Sequence, residues 1–390
     1  MLPPTVGDPS RLSIDEVSGR AALAALAGEW NDLMGRAREA SFFSSWEWTA
    51  AWLESYQGDR PLAALLARRG PTLVGVLPLL GGYRKWAWGR LGLEAPTNEQ
   101  SPSGIFLCEG DPAPALEAFL EHVSRTHGRV ALSLPLFPAG SPVVAALREI
   151  AARSRFRVFE KPSRCSTRIR IQTSWEGYLA TRSKHTQKEW RRKRKRLDEA
   201  GRVDTRTVTA REDLPNALAD VLEIECHSWK HETGTSFQKE AGVEHFYSRL
   251  AELCADRGWL RLSLLYLDGR PAAHCFGVVH GNELLALKTS FNRELASLSP
   301  GLALMLCVSE QAFREGLAAV DLLGQPDRWK TEMANEERAH VDLCVFPRGL
   351  VEYEAHAVLE GRVQPFLRER LPPRVTRAGQ WILTRLRYRQ

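Results

Sequence analysis

The sequence predicts an α/β (α+β) protein of two consecutive units, each a mixed, mostly antiparallel sheet flanked by helices. Its 390 residues exceed what one hydrophobic core normally supports. Its composition, 44% hydrophobic and 26% charged, is that of a globular protein. In both halves, segments with helical periodicity alternate with apolar runs of strand length. We therefore expect a leader and helix at residues 1–40, a first domain at 41–165, a second domain at 166–350 and a basic tail at 351–390.

The first half alternates helix and strand signals. Apolar residues recur every three or four positions within residues 15–37, which predicts an amphipathic helix, and a second helix follows the serines before Trp46. Arg69-Gly70-Pro71 separates two apolar β runs and indicates a hairpin. Helix, strand and helix are then predicted at 114–126, 129–137 and 141–155.

The second half repeats this plan. Helices are predicted at 183–199, 214–232 and 244–258, with a strand at 202–209 and Gly258 as a helix end. Residues 259–292 read as three strands, because Asp268-Gly269 and Gly281-Asn282 are strong hairpin dipeptides. A helix opening with Ser-Pro and a short apolar strand at 318–324 follow.

A basic run lies at the start of this second half. Between Arg182 and Glu199 there are nine basic and three acidic residues, a net charge of +6 that equals the formal charge of the whole chain. Trp190 and Leu197 are seven residues apart and share one helix face, which predicts a docking side. Three interpretations remain open for the other faces: a nucleic-acid surface, a solvated helix, or a surface for an anionic partner such as an acidic acyl carrier protein, a donor phosphate or a phosphorylated sugar.

The C-terminal segment after Gly361 is a second basic region, with eight arginines and one glutamate. Its mixture of arginine with Trp381, Ile382 and Leu383 fits an interfacial helix at an anionic membrane, or a helix docked on the body. The chain shows no apolar run of membrane-spanning length, no signal peptide and seven scattered cysteines without a CxxC pair. We expect a cytoplasmic protein, with possible peripheral contact at the inner membrane.

Four stretches, in this order, carry a resemblance to a known family: Gly75–Leu80, Trp175–Gly201, Leu267–Gly277 and Ser299–Lys330. Together they resemble the CelD/BcsL-like GNAT acetyltransferases of bacterial polysaccharide clusters. More distantly they resemble the FemABX transferases, which use aminoacyl-tRNA. The resemblance implies two tandem GNAT-like acyltransferase domains, an acyl-CoA co-substrate, no metal, and an amine or hydroxyl acceptor on a sugar or cell-envelope precursor. A non-catalytic GNAT scaffold in a polysaccharide assembly is the alternative outside enzymes.

The expected donor site is the helix start at Ser299, Pro300, Gly301 and Leu302. In the GNAT fold a helix N-terminus after a strand holds the donor pyrophosphate, using exposed N–H groups and the positive end of the helix dipole. No acidic residue lies between Ser297 and Met305 to repel a phosphate. An ordinary Ser-Pro helix start is the alternative.

The expected catalytic residues are His274, Asp321 and Lys330. His274 is a candidate base near neutral pH, or a hydrogen-bonded core histidine. Lys330 is a candidate for binding a phosphate or stabilising a thioester oxyanion, with Asp321 as its orienting group or as base. The alternative for this pair is a structural ion pair. Where the family often has Tyr-Lys, this chain has Trp329-Lys330.

The expected substrate-binding residues are polar or basic side chains spread along the chain. They are Asn98, Ser101, Lys184, Arg191, Arg192, Gln325 and Trp329. Glu225, His227 and His231 have a spacing reminiscent of metal ligands, but the HExxH order and a further ligand are missing, so no metal site is expected.

Overall fold

The computed structural model describes residues 12–38, 40–83, 92–228 and 242–358. These residues form two compact units. Unit 1 takes the described residues of Met1–Thr49, Gln57–Arg164 and Ala339–Gln390, and unit 2 takes those of Ala50–Tyr56 and Cys165–Arg338. Neither unit is one continuous segment, because the chain passes between them several times.

The secondary structure is mixed in both units. The strands are β1 (Leu12–Val17), β2 (Leu62–Arg69), β3 (Thr72–Tyr83), β4 (Gly92–Glu94), β5 (Leu107–Cys108), β6 (Leu132–Pro138), β7 (Phe156–Arg170), β8 (Val203–Val208), β9 (Leu260–Leu267), β10 (Arg270–His280), β11 (Glu283–Phe291), β12 (Ala319–Asp321) and β13 (Glu336–Pro347). The helices are α1 (Arg20–Ala24), α2 (Ala27–Arg36), α3 (Trp46–Tyr56), α4 (Pro112–Thr126), α5 (Pro142–Arg153), α6 (Trp175–Thr181), α7 (Lys184–Ala200), α8 (Leu214–Cys226), α9 (Val243–Asp256), α10 (Pro300–Arg314), α11 (Arg328–Met333) and α12 (Val351–Val358). Short 3-10 helices lie at Phe42–Ser44, Arg211–Asp213 and Arg293–Leu298.

Unit 1 contains the strand order β1-β2-β3-β4-β6-β13, with β5 paired to β3. Its strands pair antiparallel except β4 with β6. The hairpin predicted at Arg69-Gly70-Pro71 joins β2 to β3. Helices α4 and α5 cover the sheet, and Phe119, Val144 and Ile150 are buried in their common core.

Unit 2 contains the strand order β7-β12-β11-β10-β9-β8. Neighbouring strands are antiparallel except β11 with β12. The two predicted hairpin turns are present, and Asp268, Gly269, Gly281 and Asn282 all have positive φ, as two-residue hairpin turns of the primed type require. The predicted fold class, a mixed and mostly antiparallel sheet flanked by helices, is therefore confirmed.

The two faces of the unit 2 sheet differ in chemistry. Ala273, Cys275 and Val320 belong to an apolar core with residues of α6, α7 and α10. We call this the apolar face. Because side chains alternate along a strand, the residues between them point to the opposite side, where the ring of Phe276 meets that of Tyr247 on α9 at 5.0 Å.

Helix α7 carries the basic run and docks as the sequence predicts. The Ser183 hydroxyl accepts the Thr186 N–H at 3.0 Å and caps its start. Trp190 and Leu197 are buried in the apolar core. The helix ends at Gly201, where a Cβ would lie 2.3 Å from a carboxylate oxygen of Asp268, so that no larger residue fits without movement.

Strands β1, β5, β7 and β13 are absent from the sequence-based prediction. Residues 15–17, expected in a helix, belong to β1, which alternates half-buried and exposed residues and pairs with β2. Charged residues are spread along β7 and are concentrated at the start of β13, so these sequences lack the apolar signal of a strand. The predicted tail beyond Val358 lies outside the described residues. Within the described ranges, no helix combines the length and apolarity needed to cross a bilayer.

The buried face of α7 makes a stability prediction. Replacing Leu197 with Ala removes a fully buried side chain and should lower the free energy of unfolding by about 2–5 kcal/mol. The exposed Lys195 on the same helix provides a control, because Lys195→Ala should change it by less than about 0.5 kcal/mol. Urea denaturation of both variants measures the difference, and equal stabilities would contradict the docking of α7.

Candidate active site

The candidate site begins where β11 and β12 separate. Their parallel pairing covers three residues, from Glu283–Ala319 to Leu285–Asp321. Strand β11 continues along β10 to Phe291, whereas β12 ends at Asp321 and the following residue, Leu322, stays bonded to its other neighbour, β7, donating its N–H to the Thr167 carbonyl at 3.0 Å. The two strands therefore separate beyond Leu285 and Asp321.

The predicted donor residues lie at the start of α10, which follows β11. The 3-10 helix Arg293–Leu298 leads to Ser299, which has a left-handed backbone (φ 56°, ψ 47°), and α10 begins at Pro300. Its first turn holds the N–H groups of Gly301 and Leu302 and no acidic residue. A helix N-terminus of this kind attracts an anion.

Gly301 has a packing role that the sequence did not reveal. A Cβ at this position would lie 3.1 Å from the ring of Phe291, the last residue of β11. Such a contact is tighter than ordinary van der Waals packing, so the small residue lets the first turn of α10 approach the strand end closely. The glycine thus fixes the position of the helix start.

Asp321 and Lys330 bind the same peptide segment. After β12 the chain makes a left-handed turn, with φ of 49° at Leu323 and 61° at Gly324. The Asp321 carboxylate accepts the Leu323 N–H at 3.0 Å, and the Lys330 ammonium donates to the Leu323 carbonyl at 2.7 Å. The two catalytic candidates meet through the Leu323 backbone, and they hold the turn in a conformation that a leucine rarely adopts.

Burial raises the pKa of Asp321 above the ordinary aspartate range, because the side chain is only 2% exposed. The Leu323 N–H and the positive charges of Arg338 and Arg168 oppose this shift. The Arg338 guanidinium lies 3.7 Å from the carboxylate. Asp321 is therefore a buried carboxylate whose proton is held more firmly than that of a solvated one.

Gln325 and Trp329 belong to the same loop. Gln325 is exposed, and its carbonyl accepts the Asp327 N–H at 2.9 Å. Trp329, in α11, packs partly buried against the apolar core of unit 2. Four of the predicted residues therefore lie in the ten-residue segment that contains the turn after β12.

His274 lies on the sheet face opposite the apolar one, together with Asp321. We call this the polar face. The Nε2 atom of His274 lies 2.9 Å from a carboxylate oxygen of Glu225 on α8, and both side chains are fully buried. The structure thus places His274 in a buried hydrogen-bonded pair, the core arrangement that the sequence left open as an alternative.

The polar face holds residues that the sequence-based analysis missed. Ser290 and Lys288 of β11 stand opposite His274 and Phe276 in the strand register, so they share the polar face. Lys288 is 8% exposed and its ammonium lies 5.4 Å above the Tyr247 ring. The available signal was a lysine inside the apolar strand ELLALKTSF.

The basic helix α7 contacts the segment that leads into α10. The Arg196 guanidinium donates to the Ser297 carbonyl at 3.2 Å. Arg194 bonds Asp198 and lies 3.4 Å from the Cys307 sulfur on α10. The three predicted substrate-binding residues on this helix are exposed; Arg191 bonds Gln187 and Arg192 bonds Glu189, within α7 itself, and Lys184 is its first residue.

Asn98 and Ser101 lie in unit 1, whereas the candidates above belong to unit 2. The Asn98 side-chain oxygen accepts the Gln100 N–H at 3.0 Å, and the Ser101 hydroxyl accepts the Asn98 N–H at 3.0 Å. These bonds close their own loop, which is the usual local role of both residue types.

Glu225 and His227, two of the three residues considered as metal ligands, bond different partners in the structure. Glu225 faces His274, while the Nδ1 atom of His227 lies 2.9 Å from the Glu223 carbonyl. His231 lies outside the described residues. In the parts of the chain that the structure covers, no group of three acidic, His or Cys side chains is arranged to hold a metal ion.

The raised pKa of Asp321 predicts a pH dependence of stability. Ionising this buried carboxyl costs free energy only in the folded state, so its contribution to stability falls as pH rises from the ordinary aspartate pKa through the raised one. Asp321→Asn retains an oxygen for the Leu323 N–H and cannot ionise. Urea denaturation across this range should show the variant gaining stability relative to the natural protein as pH rises. A constant difference would contradict the shift.

Residues 184–331, which include α7, the start of α10 and Lys330, match the family model described as acetyltransferase (GNAT) domain. No curated protein matches the chain in sequence.

Three solved structures share the fold. FemX is 10% identical, with a TM-score of 0.55 over 84% of this chain and 98% of its own. A conserved protein of unknown function from Bacteroides thetaiotaomicron is 13% identical, with a TM-score of 0.54 over 82% and 97%. The C-terminal domain (DUF2156) of a candidate lysylphosphatidylglycerol synthetase from Agrobacterium fabrum is 13% identical, with a TM-score of 0.51 over 86% and 97%. At these identities the likeness concerns the fold alone. Residues 184–331, which lie within unit 2, are the segment of this chain that matches a GNAT-type acetyltransferase domain.

Proposed function

We propose that the protein moves an acetyl or related acyl group from acyl-CoA to an amine or hydroxyl of a sugar or a cell-envelope or polysaccharide precursor. The observation that carries the proposal is the helix start at Ser299–Leu302, placed at the end of β11 inside the matched GNAT domain. The CelD/BcsL-like resemblance supports the polysaccharide acceptor. It also supports a second GNAT-like domain in the first half, a cytoplasmic location and the two-domain division at residue 165.

The donor is proposed to bind where β11 and β12 separate. The amides of Gly301 and Leu302 would receive the pyrophosphate of acyl-CoA at the positive end of α10. The thioester arm would extend toward the gap between the two strands. There, main-chain groups of β11 that no longer pair with β12 would be available for hydrogen bonds. Ser299 and Pro300 shape this turn, because the proline lacks an N–H and the serine takes the left-handed backbone.

Asp321 and Lys330 are proposed to carry the chemistry. Burial raises the pKa of Asp321, which makes its carboxylate a stronger base than a solvated aspartate for removing the acceptor proton. The Lys330 ammonium, held at the Leu323 carbonyl, supplies positive charge for a thioester oxyanion or a phosphate. His274, with Glu225 behind it, is the second candidate base and lies on the same sheet face.

The acceptor is proposed to bind through the polar or basic residues named above. Gln325 and Trp329 adjoin Lys330, and Lys184 and Arg191 offer exposed positive charge to an acidic acceptor or an acyl carrier protein. Arg192 is also exposed, but an acceptor would have to compete with its ion pair to Glu189. Asn98 and Ser101 belong to the first half, and they remain candidates through the family resemblance.

A FemABX-type transferase using aminoacyl-tRNA is the second candidate function. The fold shared with FemX and the basic helix α7 favour it. Such a protein should bind tRNA with an affinity that falls steeply with salt concentration, and acyl-CoA should not compete. Nucleic-acid binding is otherwise not expected.

Acyl-CoA binding tests the proposal first. Acetyl-CoA should raise the melting temperature of the full-length protein, because a ligand that binds only the folded state stabilises it. Gly301→Asp should abolish the rise by placing a negative charge at the helix start. Gly301→Asn is the matched control, since it has the same shape without the charge and should retain more of the effect. No rise with any acyl-CoA in the natural protein would reject the donor assignment.

Turnover tests the catalytic residues separately. Asp321→Asn should lower kcat by a factor of about 10² to 10⁴, the usual contribution of a general base, while the acetyl-CoA-induced rise in melting temperature remains. Release of the CoA thiol with a panel of amino sugars measures the rate. If the natural protein binds acetyl-CoA, and neither Asp321→Asn nor Lys330→Ala alters polysaccharide production in the source cell, the non-catalytic scaffold is favoured instead.

A further inference from the structure

Helix α7 holds one cation against the segment that precedes the proposed donor site. Burial of Trp190 and Leu197 in the apolar core fixes the position of this helix. Arg196 then reaches the carbonyl of Ser297, two residues before the N-cap of α10. The bond to Ser297 uses one of the five N–H donors of the Arg196 guanidinium. The other donors remain for a ligand, because the Arg196 side chain is exposed.

The acidic residues of α7 are bound by other cations. Arg192 bonds Glu189 at 2.7 Å, Arg194 bonds Asp198 at 2.9 Å, and Lys195 lies 3.6 Å from Glu199. Among the described residues, Arg196 makes no ion pair. Lys193, three residues earlier, lies on the same flank of the helix and is half-buried. The flank near Ser297 therefore carries positive charge that the helix does not neutralise.

We propose that Arg196, assisted by Lys193, forms a second phosphate subsite of the acyl donor, distinct from the pyrophosphate position at Gly301. The ligand is the phosphate monoester of coenzyme A, its 3′-phosphate. A planar guanidinium binds such a group through two parallel N–H···O bonds. This inference rests on the proposed acyl-CoA donor and adds a determinant of donor specificity, because a donor lacking the monoester would lose the contact.

The charge arrangement favours a single phosphate over a nucleic acid. A nucleic-acid surface needs a series of cations free to meet successive phosphates, and three of the eight Lys and Arg residues of α7 are engaged with acidic residues of the same helix. Lys184, Lys188 and Arg191 lie nearer the start of the helix, at least five residues before Arg196. The two that share the flank beside Ser297 suit one compact dianion. Polynucleotide binding is therefore treated as an outcome of the test that would overturn the proposal.

The test compares two ligands that differ only in the monoester. Full-length protein is titrated by calorimetry with acetyl-CoA and with acetyl-3′-dephospho-CoA. The natural protein should bind acetyl-CoA about tenfold more tightly, as expected for charge-assisted hydrogen bonds. Arg196→Gln should bind the two ligands equally, with its affinity for the dephospho ligand unchanged. Lys195→Gln removes the same charge from the adjacent position and should keep the tenfold preference.

The outcomes separate this inference from the proposed function. If the natural protein binds neither ligand, the acyl-CoA proposal fails and the subsite fails with it. If both ligands bind and Arg196→Gln weakens them equally, or Lys195→Gln has the same effect, only the subsite is wrong. A loss of affinity for a short RNA duplex in Arg196→Gln, without a change in the ratio for the two CoA ligands, would likewise overturn it. Circular dichroism of each variant confirms that α7 remains folded.

Discussion

The candidate site depends on the point at which the parallel pairing of β11 and β12 ends. Two strands can stay paired only while both backbones satisfy each other's hydrogen bonds. Strand β12 lies between β7 and β11; after Asp321 its bonding to β7 continues, since Leu322 donates to Thr167, while its pairing with β11 ends. Strand β11 continues toward the start of α10, and the turn after β12 is free to carry a charged cluster. The positions of the helix start at Ser299–Leu302 and of Asp321 and Lys330 follow from this divergence.

The strained turn after β12 is held in place by the two residues proposed for catalysis. A leucine in the left-handed region costs free energy, and side chains bound to both sides of its peptide make that conformation persist. Asp321 and Lys330 supply these bonds, so the residues proposed for catalysis also shape their own surroundings. A substitution at either position therefore affects local structure as well as chemistry, which is why binding and turnover must be measured apart.

The two faces of the unit 2 sheet carry different kinds of side chain. The apolar face, covered by α6, α7 and α10, buries the side chains that stabilise the unit. The polar face buries Asp321 and the pair of His274 and Glu225. Buried charged and polar groups cost free energy unless they are paired, and a concentration of such groups on one face marks a candidate functional site.

The sequence by itself determined the local structure of the second half. The two hairpin turns, the Gly258 helix end, the Ser-Pro helix start and the docking face of α7 depend on residues close together in the chain, so their patterns were sufficient. The polar strands β7 and β13 escaped detection, because their pairing depends on distant partners. Only the tertiary structure decided that Glu225 meets His274, that Asp321 is buried and that Arg196 reaches Ser297. Those contacts join residues 49 to 101 positions apart or depend on surrounding elements, and no local periodicity encodes them.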